Sequence, residues 1–522
     1  MPHIYLLDST LRDGAQGEDI SFSLQDKLNI ARTLDDFGID FIEAGIPGAN
    51  PKDLQFFQKA ARMSFSHAKI CAFGATRHKG ISPQQDEFLN LLLSAETSHV
   101  VIFGKAWLLH VDKILKATPQ ENLDMIADTI QFLRDHGRTV LFDAEHFFDG
   151  YADNPDYALQ TIRAAIQAGA HSVTLCDTNG GCTPTALRQT TAEILQALGK
   201  DITIGIHCHN DIGCAIANSM LAVEAGATLV QGTFSGYGER CGNADLSVLI
   251  PNLILKKNCT CSVTRLHELV DVATKLAEIS NISIPSTKPY IGKSAFAHKG
   301  GMHIDGVTKL TSSFEHIAPE AIGNHRRFLT SEISGRSTLL AKMKSFAPQF
   351  TKDSPEISRI VEKLKEMEFR GYQFEAADAS LELLIRRTLG WHKPHFQLIL
   401  YKTTGEYPAP NDCEPTSAMI QIKVEDTTEI TAALGNGPVN ALDLALRKAL
   451  HVFYPNLEEV QLIDYKVRVI DSDAATAAKV RVLIESTDGS HSWTTVGVST
   501  DIIEASWLAL QDSIEYKLDI LK

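Results

Sequence analysis

The chain has 522 residues, a length that fits two or three domains better than one. Hydrophobic residues make up 44% and charged residues 22%, as in an average globular protein, which excludes collagen-like, mucin-like, disordered and disulfide-scaffold proteins. The 49 Lys and Arg against 64 Asp and Glu give a net charge of −15. Because so acidic a chain repels nucleic acid and anionic membranes, we expect neither as a partner.

Cysteine usage and the N-terminus indicate a reducing compartment. The nine cysteines are scattered and lack the C-x-x-C spacing of a metal or redox site, so we expect reduced, structural thiols. The N-terminal residues lack the basic and apolar stretches of a signal peptide. No apolar run approaches the roughly 20 residues that a membrane span needs. The sequence therefore predicts a soluble, cytoplasmic protein.

Short apolar runs alternate with amphipathic helical segments over the first half of the chain. The runs are Ile4–Asp8, Asp40–Ala44, Lys69–Gly74, His99–Gly104, Thr139–Ala144, Ser172–Asp177, Thr203–His209 and Thr228–Thr233. Their spacing of about 25 to 40 residues is typical of βα units. The pattern predicts an α/β fold, a closed (β/α)₈ TIM barrel over residues 1–260. An open doubly wound sheet is the alternative, but no Gly-x-Gly-x-x-Gly turn follows the first run.

The βα rhythm stops after about residue 250, and two further regions follow. Residues 261–390 are predicted to form helical subdomains and a linker, including the long charged helical region Ser354–Leu389. Residues 391–522 are predicted to form an α+β domain. Within it Ala441–Leu446 resembles Ala505–Leu510, and this repeat favours a duplicated βββα unit over two unrelated amphipathic helices.

Residues with ligating side chains stand where the predicted strands end. His207 and His209 lie two residues apart on the seventh strand, so both project from one face of it. Two neighbouring imidazoles indicate ligands of one metal ion, although a pair of hydrogen-bonded core histidines is the alternative. Asp13 follows the first strand, and Asn243 or Asp245 follows the eighth. Such a mixed set of oxygen and nitrogen ligands suits Mg²⁺, Mn²⁺ or Co²⁺, and also permits Zn²⁺.

The same end of the barrel carries further charged residues. Arg12 precedes Asp13, and the two residues either serve catalysis or pair with each other to steady the loop. The carboxylates near the rim are Glu43, Asp143, Glu145 and Asp177. They provide general acid and base groups or orient the histidines, and the sequence alone does not separate these roles.

Four separated motifs, in order along the chain, resemble those of the metal-dependent 2-isopropylmalate, homocitrate and citramalate synthases. They are Asp8-Ser-Thr-Leu-Arg-Asp-Gly14, His207-Cys-His-Asn-Asp211, Gly242-Asn-Ala-Asp-Leu246 and Ala297–Gly306. The resemblance spans nearly the whole chain. It implies a condensation of acetyl-CoA with a 2-oxo acid, followed by hydrolysis of the CoA thioester.

The segments Arg12–Asp19, Glu43–Asp53 and Phe142–Gly150 are most similar to the members of this family that use pyruvate on the route to isoleucine. One alternative is 2-oxoisovalerate as the acceptor, on the route to leucine. Another is an aldolase or a 3-hydroxy-3-methylglutaryl-CoA lyase on the same barrel, although these enzymes lack a duplicated C-terminal domain. A non-catalytic amino-acid sensor that retains the barrel is a third.

The resemblance also implies roles for single residues. The metal ligands are Asp13, His207, His209 and Asn243. The residues that act on substrate are Arg12, which stabilises negative charge on oxygen, Glu145 and His303, which are catalytic, and Thr178, which binds the 2-oxo acid carboxylate. The histidine can come from the partner subunit. Its segment Lys299–Ile304 departs from the Glu-Ser-Gly-Ile-His-Gln usual in isopropylmalate synthases.

The resemblance further implies a homodimer. The C-terminal domain resembles a regulatory domain that binds an end-product amino acid, isoleucine or leucine, and contributes to dimerisation. The expected cofactor is a divalent metal, Mg²⁺ or Mn²⁺ before Zn²⁺ or Co²⁺, and acetyl-CoA is the expected co-substrate.

Overall fold

The computed structural model describes most of the chain. The described residues are 3–199, 202–329, 336–406, 415–470 and 477–520. Cys413 lies outside them. The chain divides into two compact units, the first made of Met1–Phe296 and Ile317–Arg326, and the second of Ala297–His316 and Arg327–Lys522. The predicted domain limits at residues 260 and 390 remain a prediction.

Eight parallel strands close into a barrel in the order of the sequence, which confirms the predicted TIM barrel. They are β1 (Tyr5–Asp8), β2 (Phe41–Glu43), β3 (Lys69–Ala75), β4 (His99–Lys105), β5 (Thr139–Glu145), β6 (Ser172–Asp177), β7 (Thr203–Cys208) and β8 (Leu229–Gly232). Each limit lies within one residue of the predicted one. β1 pairs with both β2 and β8, and this pairing closes the ring.

Helices connect the strands of the first unit. They are α1 (Leu24–Phe37), α2 (Pro51–Ala60), α3 (Glu87–Leu93), α4 (Leu108–His110), α5 (Pro119–Asp135), α6 (Phe147–Asp153), α7 (Pro155–Gln167), α8 (Pro184–Leu198), α9 (Ala215–Ala225), α10 (Leu246–Leu255) and α11 (Leu269–Ser280). The first helix shows why such segments are helical. Ser23 and Asp26 form a capping box at its start, and Gly38 ends it with a φ of 103°.

Apolar side chains fill the lower part of the barrel interior. Leu7, Val101, Leu141 and Leu229 belong to one buried cluster. Because side chains alternate along a strand, Asp143 projects from the same face of β5 as Leu141 does, one step nearer the strand's carboxyl end. The barrel interior is therefore apolar below the polar groups of the carboxyl end. A larger apolar cluster lies between the outer faces of the strands and the helices.

The second unit begins with a small sheet and a set of helices. Its elements before the tail are β9 (Ala297–His298), α12 (Gly301–Lys309), β10 (Arg327–Phe328), α13 (Arg336–Met343), α14 (Pro355–Phe369) and α15 (Asp378–Leu389). The predicted long helical region is thus two helices. Gly371, with a φ of 107°, takes the chain out of helical geometry after α14.

Two βββα modules form the tail, which confirms the predicted duplication. They are β11 (Gln397–Gly405), β12 (Thr416–Val424), β13 (Thr427–Gly435) and α16 (Pro438–His451), then β14 (Gln461–Val469), β15 (Val480–Thr487), β16 (Ser492–Ser499) and α17 (Ile502–Asp519). Each helix packs on its own sheet, as Leu446 does near Ile420. None of the helices in the described ranges has the length and apolar character that a membrane span requires.

Candidate active site

A cleft of about 320 Å³ opens at the carboxyl ends of the barrel strands. This is the end at which TIM barrels carry their chemistry. Its lining residues are Arg12, Asp13, Gln16, Ile46, Phe73, Phe103, Asp143, Glu145, Cys176, Thr178, His207, His209, Glu239 and Arg240. Six residues singled out from the sequence as ligands or substrate-contacting groups therefore lie in one cleft: Arg12, Asp13, Glu145, Thr178, His207 and His209.

Asp13, His207 and His209 form a compact cluster in this cleft. Potential ligand atoms of the three residues all lie within 4.8 Å of one another. The Nε2 atoms of His207 and His209 are 3.7 and 3.9 Å from Oδ2 of Asp13. The alternation of side chains along β7 brings both imidazoles to the same side, as the sequence predicts. Two imidazoles and a carboxylate at this spacing are suited to one divalent ion.

The charge states of the cluster also suit a cation. Burial would raise the pKa of Asp13, but Arg12 and the two histidines outweigh burial and hold that pKa well below its usual range. Burial lowers the pKa of His207, and it lowers the pKa of His209 to about 4. At neutral pH the site therefore presents one carboxylate and two neutral imidazoles, the ligating forms of these side chains.

Asn243 lies beside this cluster. Its Nδ2 donates to Oδ1 of Asp13 and to the carbonyl of Tyr237, both at 3.0 Å. Its Oδ1 is buried without a hydrogen-bond partner among the described residues. A buried carbonyl oxygen without a partner is costly, and a cation nearby would satisfy it. Gly238 makes room here, since a Cβ on it would be 2.3 Å from Nδ2 of Asn243.

The structure separates the two ligands that the sequence left open after β8. Oδ1 of Asp245 caps α10 by accepting from the backbone N–H of Ser247, and its Oδ2 forms a 2.6 Å ion pair with Lys288. Asp245 thus holds the loop in place, whereas Asn243 contacts Asp13. Asn243 is the residue that fits the predicted fourth ligand.

Arg12 is held from three directions. Its Nε donates to Oε1 of Glu43 at 2.5 Å, and its Nη1 donates to Oδ2 of Asp13 at 3.0 Å. The guanidinium carbon lies 4.0 Å from the ring centre of Phe73, a cation–π contact. Oε1 of Glu43 also accepts from the hydroxyl of Ser9 at 2.6 Å. Arg12 therefore pairs with Asp13 and also lines the cleft, and its catalytic role remains a prediction.

The remaining carboxylates of the rim have different surroundings. Asp143 accepts from the amide of Gln231 at 2.8 Å, and burial raises the pKa of Asp143 to about 7. Asp177 accepts from the backbone N–H groups of Gly181 and Cys182, and burial raises its pKa to about 6. Asp177 thus fixes the loop after β6, while Asp143 reaches the cleft.

Glu145 and Thr178 line the cleft from neighbouring strands. Glu145, the last residue of β5, pairs with Lys105, its register partner on β4. Oγ1 of Thr178 accepts the backbone N–H of His146 at 2.9 Å. His146 adopts a φ of 55°, which is uncommon for a residue with a side chain. This turn aims its N–H at the threonine.

Three family models match the chain in succession. HMGL-like covers residues 3–283, the homocitrate synthase post-HMGL domain-like model covers residues 290–371, and the LeuA allosteric (dimerisation) domain covers residues 375–518. The (R)-citramalate synthase of Aquifex aeolicus is 52% identical over 516 residues, 99% of this chain and 98% of that protein. The chain belongs to the citramalate synthase family.

Other relatives place the chain within that family. The (R)-citramalate synthase of Geobacter sulfurreducens is 48% identical over 99% of this chain and 98% of its own length. A protein named probable 2-isopropylmalate synthase, from Methanopyrus kandleri, is 31% identical over 96% of both chains. The isopropylmalate synthases are therefore much more distant from this chain.

His303 lies in the second unit of this citramalate synthase family member. It stands on α12, and its ring stacks on Phe314 with centroids 4.3 Å apart. Gly306 leaves space for that phenyl ring, since a Cβ on it would be 2.5 Å from the ring. The catalytic role of His303 remains a prediction.

Sequence reasoning missed Lys105, Gln231 and Arg240 around the cleft, and also the apolar residues Ile46, Phe73 and Phe103 in its lining. Arg240 pairs with Asp211 and donates to the carbonyl of Thr178 at 2.7 Å, so it connects the loops after β6, β7 and β8. Lys105 ends β4, and Gln231 is the second-last residue of β8. A charged or amide side chain at the carboxyl end of a barrel strand could have indicated both residues from the sequence.

Proposed function

We propose that this chain is a metal-dependent (R)-citramalate synthase. It condenses acetyl-CoA with pyruvate, hydrolyses the thioester and releases (R)-citramalate and CoA on the route to isoleucine. The observation that carries the proposal is the cluster of Asp13, His207 and His209 beside Arg12, in a chain 52% identical to a protein of that name.

Asp13, His207, His209 and Asn243 would hold the divalent ion. The hard oxygen ligands and two imidazoles favour Mg²⁺ or Mn²⁺, with Co²⁺ and Zn²⁺ also accommodated. An ion bound there supplies a Lewis acid for the carbonyl of the 2-oxo acid. The buried Oδ1 of Asn243, which has no hydrogen-bond partner among the described residues, supports this ligand set.

Arg12 stabilises the oxygen that becomes negative when the new carbon–carbon bond forms. Its guanidinium is held by Glu43 and stacked on Phe73 before substrate arrives, so little reorganisation is needed during the reaction. Arg12 and Arg240 also line the cleft as cations. The lining also carries Asp13, Asp143, Glu145 and Glu239, so a divalent ion beside the two arginines would supply the positive charge that two anionic substrates need.

Thr178 binds the carboxylate of pyruvate. A hydroxyl offers one hydrogen and two lone pairs. Because Oγ1 already accepts from the N–H of His146, its hydrogen remains available to donate into the cleft. The strained backbone of His146 thus prepares Thr178 as a donor.

Glu145 is one of three candidates for the base that takes a proton from the methyl of acetyl-CoA. It lines the cleft, and a carboxylate can act as a general base. Lys105 pairs with it and restricts its orientation. The other candidates are a bridging water and His303, which can come from the partner subunit in the family that the chain resembles. The group that removes this proton generates the enolate that attacks pyruvate.

The choice of pyruvate rests on an apolar wall of the cleft. Phe73 and Phe103 stack with ring centroids 5.3 Å apart, and Ile46 lies beside them in the lining. Pyruvate presents a methyl group to such a wall, whereas 2-oxoisovalerate presents an isopropyl group. A methylene changes binding by about 1–3 kcal/mol in an apolar pocket, so two bulky rings can select the smaller acid.

The tail regulates the enzyme and joins two subunits. It matches the LeuA allosteric (dimerisation) domain, and Ile399, Ile430 and Leu434 on its first sheet are exposed. Apolar sheet faces of this kind favour contact with a second copy. The feedback amino acid is isoleucine or leucine.

Incubation with acetyl-CoA, Mn²⁺ and pyruvate tests the proposal. Free CoA is followed with a thiol reagent, and the product is resolved on a chiral column. We expect CoA release that requires pyruvate and metal, with (R)-citramalate as the product. CoA release that requires 2-oxoisovalerate instead would assign a 2-isopropylmalate synthase, and cleavage of a preformed hydroxyacyl-CoA alone would assign a lyase. Thermal stabilisation by isoleucine, without turnover of any 2-oxo acid, would assign an amino-acid sensor.

A further inference from the structure

Gln231 is fully buried on β8, and its side chain connects three neighbouring groups inside the barrel. Its Oε1 lies 3.0 Å from Nδ1 of His207, its register partner on β7. Its Nε2 lies 2.8 Å from Oδ1 of Asp143 and 2.9 Å from Oγ1 of Thr174. Every polar atom of this amide therefore has a partner.

The partners of Nε2 set the orientation of the amide. The nitrogen carries two hydrogens, one for Asp143 and one for Thr174. When Asp143 is ionised, the opposite orientation would place the amide oxygen 2.8 Å from a carboxylate oxygen, where neither atom can donate. The carbonyl oxygen of Gln231 therefore faces His207.

This orientation fixes the tautomer of His207. A carbonyl oxygen only accepts, so Nδ1 of His207 carries the hydrogen. The lone pair is then on Nε2, the atom 3.7 Å from Oδ2 of Asp13. Nε2 is the atom that can ligate a cation shared with Asp13.

The neighbouring histidine differs in this respect. Nδ1 of His209 is buried without a hydrogen-bond partner among the described residues. Of the two imidazoles, His207 is therefore the one whose ring is oriented by a fully bonded side chain. The cluster depends on Gln231 for its preset geometry.

A glycine on β7 makes the arrangement possible. A Cβ on Gly205 would lie 2.7 Å from Oγ1 of Thr174, closer than real contacts allow. Any other residue there would displace the hydroxyl that accepts from Gln231. The absence of a side chain at residue 205 is thus a requirement of the same network.

We propose that Gln231 is a positioning residue for metal binding, and that Asp143 and Thr174 hold its amide so that His207 offers Nε2 to the ion. The inference rests on the metal site of the proposed function. Carboxylates and carbonyls that orient ligating histidines typically contribute about 10- to 100-fold in metal affinity. Gln231 performs this role with a neutral amide.

The test measures Mn²⁺ affinity of the full-length protein without substrate, from the electron paramagnetic resonance signal of free Mn²⁺. Gln231→Leu removes the acceptor, and we expect the Kd to rise about 10- to 100-fold. The double variant Gln231→Glu with Asp143→Asn keeps an oxygen opposite His207 and an amide donor opposite residue 231, and we expect its Kd to stay within about threefold of wild type because that acceptor is retained. Asn218→Leu is the control, since Asn218 is an equally buried amide that bonds the carbonyl of Cys182.

Wild-type affinity in Gln231→Leu would overturn the inference. Equal losses in Gln231→Leu and in the double variant would also overturn it, because packing and not the acceptor would then be responsible. Excess Mn²⁺ should restore most of kcat in Gln231→Leu. Because the affinity is measured without any 2-oxo acid, failure of this inference is distinguishable from a wrong substrate assignment.

A second variant changes the same network less severely, in case Gln231→Leu does not fold. Thr174→Val removes one of the two groups that accept from the Gln231 amide, at nearly constant side-chain volume. We expect the Kd for Mn²⁺ to rise about threefold to tenfold, which is less than the rise expected for Gln231→Leu. Thr191→Val is its control, because Thr191 is also fully buried but bonds the carbonyl of Leu187 within α8. Equal Mn²⁺ affinity in these two threonine variants would contradict the network.

Discussion

Nε of Arg12 donates to Oε1 of Glu43 at 2.5 Å, and Glu43 is completely buried. The carboxylate lies on β2, so the barrel wall itself determines where the guanidinium points. The second nitrogen in use, Nη1, reaches Oδ2 of Asp13. A planar fork anchored at one edge is thereby presented to the cleft at a fixed angle.

Replacing Arg12 with lysine keeps the positive charge but removes this fork. We expect kcat to fall about 10²- to 10³-fold, because the developing negative oxygen loses a preorganised donor. KM for pyruvate should change much less, since the interaction is made mainly in the transition state. Steady-state kinetics at saturating metal measure both constants. Unchanged kcat would remove Arg12 from the mechanism.

Glu43→Gln tests whether the carboxylate that holds the Arg12 guanidinium contributes to kcat. The amide can still accept from Nε, but it no longer holds a buried guanidinium by charge. We expect kcat to fall about tenfold with Mn²⁺ affinity near wild type. Asp128→Asn is the matched control, because Asp128 pairs with Arg77 away from the cleft. Equal activity of these two variants would show that the anchor contributes nothing.

Lys105→Met tests the pairing of Lys105 with Glu145. Without the ammonium group, Glu145 loses the contact that restricts its side chain, and we expect kcat to fall about 10- to 100-fold. KM for pyruvate should stay close to wild type, because Lys105 is not among the residues that line the cleft. Lys79→Met, at an exposed lysine, is the control. A change confined to KM would place Lys105 in substrate binding instead.

Asp8 predicts a pH dependence of stability. It is fully buried, and burial raises its pKa from 3.8 to about 7. The folded state binds this proton more tightly than the unfolded state does. The contribution of protonated Asp8 to the free energy of unfolding is therefore complete below about pH 4 and is lost as pH rises through about 7. Relative to wild type, Asp8→Asn should therefore be more stable at pH 8 than at pH 5. The gain should be a few kcal/mol, since one pKa unit corresponds to about 1.4 kcal/mol.

Denaturant unfolding at the two pH values measures this difference. Asp135→Asn, at an exposed carboxylate, should show no comparable change between pH 5 and pH 8. A free-energy difference between Asp8→Asn and wild type that is the same at both pH values would show that Asp8 does not titrate in this range.

The barrel and part of the site could be predicted because their signals are local. Apolar runs of regular spacing define the strands, and the two-residue period places His207 and His209 on one face. Spacing alone left the choice between Asn243 and Asp245 open, because it depends on Lys288, which is distant in sequence, and only the family resemblance singled out Asn243. The same holds for Gln231, whose partner Asp143 is 88 residues away. Which carboxylate has which role depends on such packing across the barrel.

The most direct test of the proposed function is a comparison of kcat/KM for pyruvate, 2-oxobutyrate and 2-oxoisovalerate with acetyl-CoA and saturating Mn²⁺. The stacked rings of Phe73 and Phe103 beside the metal cluster predict the order pyruvate, 2-oxobutyrate, 2-oxoisovalerate. We expect at least a tenfold preference for pyruvate over the branched acid, the lower end of what an apolar pocket gives for added carbon atoms. A higher kcat/KM for 2-oxoisovalerate would contradict the assignment as a citramalate synthase.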